Sequence, residues 1–594
     1  MTVRIDYDPE TVEAVLSTTA TGRFWDITVR TVRETSDEAR SLSDTELRLP
    51  WWTFIVGRRA LAFQVATNDI PVEFTARASD RLKDANDRVE LLTNVQSTPE
   101  LSDADLLEAL KRQGFVRPLK PFQTRNLRKL LRLPVGATFS VPGSGKTTEA
   151  LAFFAFFRQK DARLLVVAPK NAFAAWEEQL AECLGPDLKF VRLIGGRNAI
   201  EWMVESIQPS LMLVTYEQFP TVSTILARYL ARSASFMFLD ESHRIKGGVH
   251  KVRANAILRV APVADFKLIL SGTPLPNAAS DLLPQFKFIA PELVVDDEKV
   301  IDEIKPFFVR TTKKDLGLRA PERVLMRVPM AEEQRGLYEL LKSELARSAQ
   351  ESLRREQRRA LRSIGRSAVR LLQFTSNPSL LIGKVPQFDE LLGQVIEEGD
   401  SPKLDWVCRR ARYLARKNHK VIIWSSFVEN VELLAERLSD LGADYIHGGV
   451  ETSSDAEADS RETRIARFHN DPHAMVLVAN PAACGEGISL HTVCDHAIYI
   501  DRNYNAAQYL QSEDRIHRIG SDNQKFVEIV VCPDSIDDSV HSRLQTKIAR
   551  MAEALDDEGL SVSPISLDAD ELNPDDDDVL DLLKHLGDPT KAAA

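Results

Sequence analysis

The chain has 594 residues, 44% of them hydrophobic, and a formal net charge of -11. That length exceeds what one hydrophobic core organises, so several domains are expected. No apolar run reaches the ~18 to 20 residues of a membrane span, the start MTVRIDYDPE lacks the basic and apolar parts of a signal peptide, and Cys183, Cys408, Cys484, Cys494 and Cys532 form no CxxC pair. A soluble cytoplasmic protein without a disulfide framework or zinc cluster is predicted. The acidity sits at the ends: residues 551–594 hold 13 acidic and 2 basic side chains, and residues 1–100 hold 17 and 12. The middle is net positive and suited to a polyanion.

Residues 1–110 mix short β-like stretches, such as RFWDITVR from Arg23, with the aromatics Trp51, Trp52 and Phe54. They predict an accessory domain whose aromatics form either a core, as such side chains usually do, or a base-stacking surface. Over 111–328 the pattern changes to short apolar runs between amphipathic helices: LLVVAP from Leu164, LMLVTY from Leu211, FMFLDE from Phe236 and LILSGT from Leu268. Continuous apolar runs that end in small or polar residues read as buried parallel strands with functional groups at their carboxyl ends. The rhythm restarts over 386–552 with KVIIWSS, AMVLVAN and HAIYID, so two doubly wound α/β lobes are expected. The intervening 329–385 reads as helical. Within it Lys342 to Arg370 holds nine Lys/Arg and three Glu, and the arginine face, including Arg354 and Arg358, is either a solvated helix face or a phosphate-tracking arm. The tail 553–594 is acidic and predicted to be disordered, with a short docking helix as the alternative.

Three segments carry chemistry. SVPGSGKT, Ser140 to Thr147, lies between a strand-like and a helix-like run. Its Gly143, Ser144 and Gly145 would close backbone N–H groups on phosphate oxygens, Lys146 would reach the β and γ phosphates, and Thr147 would ligate Mg²⁺, with Thr148 following in the helix. DESH, Asp240 to His243, closes a later strand, so Asp240 would hold Mg²⁺ and Glu241 would orient the attacking water. QSEDRIHRIG, Gln511 to Gly520, sets Arg515 and Arg518 one helical turn apart. They read as arginine fingers for a transferred phosphoryl group, or as surface ion pairs with Glu513 and Asp514.

Taken in order, LKPFQ (Leu119 to Gln123), the phosphate loop, VVAPKNAFAAWEEQL (Val166 to Leu180), VTYEQF (Val214 to Phe219), DESH, SGTPLPN (Ser271 to Asn277), FFVRTTKKDL (Phe307 to Leu316), LLQFTSNPSLL (Leu371 to Leu381), SPKLDWV, VIIWSSF, GEGISL (Gly485 to Leu490) and QSEDRIHRIG resemble the motif series of the Swi2/Snf2 family of superfamily 2 helicase-like ATPases. The resemblance spans about Gln113 to Ala554. It implies two RecA-like lobes with a helical insertion between them. It also implies ATP and Mg²⁺ as cofactors, adenine contact by Gln123, nucleotide contact near Gly487, the finger positions at Arg515 and Arg518, and nucleic-acid contacts at Lys170, Thr215, Ser425 and Asn480, with Arg354 and Arg358 added from the basic helix. DESH together with SEDRIHRIG is similar to the annealing-helicase branch.

The departures are specific. VPGSGKT replaces the family's Met-Gly-Leu-Gly loop, Asn480 and Pro481 stand where a Ser-Thr pair is usual, Tyr504 and Ala506 flank Asn505 in place of Trp-Asn-Pro, and Ser521 replaces a glutamine. The predicted function is ATP-driven translocation on double-stranded or branched DNA by a monomer, in a bacterial, phage or mobile-element setting. Strand separation or annealing is one alternative. Another is remodelling of a protein partner bound through the N-terminal domain or the tail.

Overall fold

A computed structural model describes residues 2–568, apart from 37, 96–97, 276–277, 294, 297, 356, 398, 400, 451–459, 485–487, 522 and 561–563. It comprises two compact units, Met1–Thr311 and Thr312–Ala594. Among the described residues no helix is long and apolar enough to cross a membrane.

The first unit opens with a five-stranded sheet of β1 (Val3–Asp8), β2 (Glu13–Thr18), β3 (Arg40–Ser43), β4 (Glu46–Pro50) and β5 (Val72–Phe74), in the order β3-β4-β2-β1-β5. RFWDITVR is not a strand. Arg23–Thr35 is a helix, because Trp25, Thr28, Thr31 and Val32, the residues it buries, recur at three and four residue steps rather than at two. Trp51, Trp52 and Phe54 open the helix Trp51–Thr67 and are buried, Trp51 lying edge-on to Tyr7 at 5.0 Å. These aromatics are core.

The same unit holds a seven-stranded sheet of β6 (Val135–Thr138), β7 (Arg163–Val167), β8 (Val191–Arg192), β9 (Leu211–Val214), β10 (Ser235–Asp240), β11 (Phe266–Leu270) and β12 (Phe308–Val309). Its order is β12-β6-β11-β10-β7-β9-β8 and every pairing is parallel. Residues of β7, β9, β10 and β11 are buried on both faces, which explains why their sequences are apolar without alternation. The helix Lys146–Phe157 sends Phe153 and Phe154 against Phe238 and Phe236 of β10.

In the second unit, β13 (Glu322–Arg327), β14 (Val421–Trp424), β15 (Asp444–Ile446), β16 (Val476–Ala479), β17 (His496–Tyr499), β18 (Phe526–Val531) and β19 (Ile565–Asp568) pair in the order β15-β16-β14-β17-β18-β13-β19, again all parallel. Two limits differ from the sequence reading. β13 lies inside the segment expected for the first lobe, 111–328, yet it pairs with β18 in the second sheet. A short apolar run directly after one lobe reads as its continuation; only the long-range pairing reveals its true neighbours. β19 falls inside the segment expected to be a disordered tail and pairs with β13; residues 569–594 lie outside the described residues. Between β13 and β14 run the helices Glu332–Arg355 and Gln357–Ser376, which hold Arg354 and Arg358. Tyr338 and Phe374 stack in their small core with centroids 6.2 Å apart.

Candidate active site

The carboxyl edge of the first unit's parallel sheet gathers the residues expected to handle phosphate. β6 ends at Thr138, and the chain turns through Pro142 and Gly143 into the helix that begins at Lys146. Gly143 and Gly145 have φ of 83° and 86°, backbone that glycine adopts without steric cost. A Cβ on Gly145 would also lie 2.4 Å from Gln123 Nε2. Lys146 Nζ donates to the Ser140 carbonyl at 3.1 Å, across its own loop. Gln123 braces that loop from below: its Nε2 donates to the carbonyls of Ser144 and Gly145 at 3.3 and 3.4 Å, and its Oε1 accepts from Lys120 N at 3.0 Å. Ser144 is buried, Thr147 is half-buried, and Thr148 turns inward, its hydroxyl donating to Gln179 Oε1 at 3.1 Å.

Beneath the loop lies a carboxylate that the sequence did not single out. Glu149, wholly buried in the first turn of the helix, accepts from Asn126 Nδ2 and from Thr138 Oγ1, both at 2.8 Å. Burial pushes its carboxyl up to about 7, against the lowering by these hydrogen bonds and by Lys146. Asn126 also donates to Thr311 Oγ1 at 2.8 Å. A lone acid at the head of TTEALAFFAFF, a helix apolar all round, was the available signal.

Asp240 closes β10 with both carboxylate oxygens engaged: Oδ2 accepts from Trp176 Nε1 at 2.9 Å and Oδ1 from Glu241 N at 3.0 Å. Burial, and next the adjacent Glu241 carboxylate, push Asp240 up to about 6, opposed by Trp176 and Lys146. Glu241 takes the left-handed conformation at φ 53°, strained for a residue with a side chain. His243 Nδ1 lies 3.3 Å from Glu241 Oε2 and 3.1 Å from Ser271 Oγ, so DESH and SGTP share one imidazole.

In the second unit the helix Ala506–Glu513 stops before the arginine pair, which sits on the turn that follows it. Arg515 is buried, with Nε on the Gln511 carbonyl at 3.1 Å and Nη1 on the Ile488 carbonyl at 3.0 Å. Arg518 Nε is buried without a hydrogen-bond partner among the described residues. Glu513 and Asp514 are both engaged by residues far upstream in the chain, and Asp514 also acts electrostatically on Arg518. Arg323 grips Glu513 with two bonds of 2.9 and 2.6 Å, and Lys313 Nζ lies 2.6 Å from Asp514 and 3.7 Å from Glu513. Burial alone would raise Glu513, but Arg323, followed by Lys313, holds it down to about 2. His517 Nε2 faces the Arg319 carbonyl at 2.8 Å and so carries the proton, leaving Nδ1 to accept from Lys313 at 3.0 Å.

The residues expected to meet nucleic acid are scattered in environment. Lys170 is exposed just beyond β7, and Thr215 is half-buried after β9 with Oγ1 accepting from Gln218 N at 3.1 Å. Ser425 does not present its hydroxyl outward: it is wholly buried and donates to Asp501 Oδ2 at 2.7 Å. Asn480 is buried too, its Oδ1 accepting from Ala482 N at 2.9 Å. The arginine-rich helices contain Arg354 and Arg358, and Gly487 lies outside the described residues.

The model of the SNF2-related domain matches residues 139–300, from just beyond β6, on the approach to the phosphate loop, to the start of the helix Val300–Ile304. The model of the helicase conserved C-terminal domain matches residues 402–520, ending on the arginine turn. The chain carries an SNF2-related domain followed by a helicase conserved C-terminal domain. It is similar to the ATP-dependent DNA helicase DDM1 of Arabidopsis thaliana, 24% identical over 77% of this chain and 66% of that protein. It is also similar to the transcription regulatory protein SNF2 of Saccharomyces cerevisiae, at 22% over 72% of this chain and 27% of the yeast protein. A bacterial relative is the putative ATP-dependent helicase/translocase YwqA of Bacillus subtilis, at 24% over 73% of this chain and 48% of YwqA. The chain therefore spans less than two thirds of the length of each.

Proposed function

We propose that this chain is a Swi2/Snf2-type ATP hydrolase stimulated by duplex DNA, which uses the hydrolysis cycle to step along DNA and remodel DNA or protein–DNA complexes. The observation that carries the proposal is the placement of the Gly143–Lys146 loop after β6 and of Asp240 and Glu241 at the end of β10, both at the carboxyl edge of one parallel sheet. The relatives named as DNA helicase or translocase supply the substrate class.

Lys146 leaves the Ser140 carbonyl to meet the β and γ phosphates, and Gln123, which braces the loop, carries the adenine contact. Two adjacent, largely buried carboxylates repel each other, which fits a site for a divalent cation. Thr147 and Asp240 would hold Mg²⁺, which supplies neutralising charge to the phosphates when bound. Glu241 orients the attacking water, and His243 relays its position to Ser271. Arg518, with Nε open, stabilises charge on the transferred phosphoryl, while Arg515 shapes the turn as well as completing the pair.

The test is hydrolysis at fixed salt without nucleic acid and with single strand, duplex, fork or RNA, because phosphate contacts make binding strongly salt dependent. Duplex should raise the rate, and Lys146→Ala should abolish hydrolysis in every arm. Equal wild-type rates in all arms would remove DNA from the proposal, and displaced strand from the fork would replace translocation with unwinding.

A further inference from the structure

Five residues of the first unit, drawn from four separate segments, close a ring of hydrogen bonds beneath the phosphate loop. Glu149 Oε1 accepts from Asn126 Nδ2 at 2.8 Å, and the same Nδ2 donates to Thr311 Oγ1 at 2.8 Å. Thr311 N donates to Ser140 Oγ at 2.9 Å. The Thr138 hydroxyl faces Ser140 Oγ at 3.2 Å and Glu149 Oε2 at 2.8 Å, which completes the circuit. None of the five is more than 3% exposed. Polar groups at that depth must find their partners within the protein, and leaving one without a partner costs more than a typical bond contributes.

Two members of the ring also touch the residues expected to hold nucleotide. Asn126 lies one turn along the helix Pro121–Leu130 from Gln123, whose amide braces the carbonyls of Ser144 and Gly145. Ser140 gives its carbonyl to Lys146 at 3.1 Å while its hydroxyl stays in the ring. The phosphate-loop pattern G-x-x-x-x-G-K-[ST] has glycine at the place of Ser140. A glycine there would leave the circuit open, because Thr311 N and Thr138 would lose the oxygen that joins them. Glu149 closes the other side, and its two oxygens tie the Gln123 helix and the end of β6 to the loop's own helix.

We propose that this ring, with Glu149 as its positioning residue, fixes the phosphate loop against the helix that carries Gln123, using the Ser140 side chain where the pattern has glycine. The proposal rests on the ATPase reading above. Opening the ring at any member lets the loop and the Gln123 helix drift apart, so Lys146 and Gln123 no longer meet one nucleotide together.

The experiment opens the ring on two sides and then restores it. Glu149→Leu keeps the bulk and removes both acceptor oxygens. Ser140→Gly returns the pattern's glycine and removes the oxygen opposite. Glu149→Gln keeps the circuit, since its amide can accept from Asn126 and donate to Thr138, whose hydroxyl then turns to Ser140. Phe153→Leu, in the same helix but packed on Phe238, controls for lost stability alone. Three quantities are read: melting temperature, affinity for a fluorescent ADP analogue, and amide hydrogen exchange over Val141–Lys146 without nucleotide. Glu149→Leu and Ser140→Gly should each weaken analogue binding by about tenfold or more, the scale of one or two buried polar groups left without partners, and should speed exchange in the loop. Glu149→Gln should return both close to wild type. Phe153→Leu should lower melting and leave both unchanged. Should Glu149→Leu fail to fold, Ser140→Gly carries the same expectation. Wild-type affinity in a folded ring-opening variant, a Glu149→Gln as weak as Glu149→Leu, or an equal loss in Phe153→Leu overturns the ring. If the wild type binds no analogue the ATPase reading falls, while loop exchange in the same variants still decides the ring.

Discussion

The indole N–H of Trp176 donates to Asp240 Oδ2 at 2.9 Å, linking the helix Phe173–Leu184 to the end of β10. A hydrogen bond to a charged group is worth about 1.5–3 kcal/mol, and here it favours the ionised carboxylate. Trp176→Phe keeps the ring in its buried place and deletes the donor. Asp240, already raised to about 6, should then ionise at higher pH still. The acid limb of the ATPase pH profile is expected to move upward, with most of the rate recovered in alkali. A profile that falls uniformly at all pH values would mean that Trp176 acts through packing alone.

Arg515 and Arg518 should separate when stability and rate are measured together. Arg515→Ala releases the Gln511 and Ile488 carbonyls and is expected to lower both the melting temperature and kcat. Arg518→Ala removes a guanidinium whose Nε has no hydrogen-bond partner among the described residues. It should leave melting unchanged while kcat falls by about 10³-fold or more, the range for arginine fingers.

The two loop glycines differ in the same way. Alanine at either must adopt positive φ, a strain of ~1 to 2 kcal/mol. At Gly143 the new Cβ meets nothing within 4 Å, whereas at Gly145 it strikes Gln123 Nε2. Nucleotide affinity, read by calorimetry, is expected to survive Gly143→Ala in part and to be lost in Gly145→Ala.

Breaking the Arg323–Glu513 clasp should be costly because neither side chain sees water, at 7% and 0% exposure. Arg323→Met leaves a buried carboxylate with Lys313 at 3.7 Å as its remaining cation, and a loss of about 3–5 kcal/mol is expected in urea unfolding. Glu513 is depressed in the fold to about 2. Its contribution is therefore complete above the unfolded carboxyl pKa of roughly 4.3 and is lost as pH falls through about 2. The gap between wild type and variant should shrink over that acid window and stay constant above it.

The parallel strands, the phosphate loop and DESH were readable because continuous apolar runs and left-handed glycines leave local marks in a sequence. Arg23–Thr35 was misread because its β-branched Ile27, Thr28 and Val29 imitate a strand, while the three and four residue spacing of its buried side chains outweighs them. β13 was assigned to the first lobe because nothing within Glu322–Arg327 names β18 as its neighbour. The partners of Glu513 and Asp514 were missed for a related reason. Lys313 and Arg323 lie about 190 to 200 residues upstream, and the acids' nearer neighbours, Arg515 and Arg518, were the visible alternative.

β13 also dictates an order of events at birth. It leaves the ribosome before every other strand of its sheet, yet its two flanking strands are β18 and β19. It must wait roughly 200 residues for either neighbour, a separation at which closing the contact is slow and an unpaired apolar strand is exposed to wrong partners. Until Ile565–Asp568 has been made, β13 has no neighbour on that side. A truncation before β19 would therefore be expected to make β13, a longer and more apolar strand, the border of the sheet in place of β19.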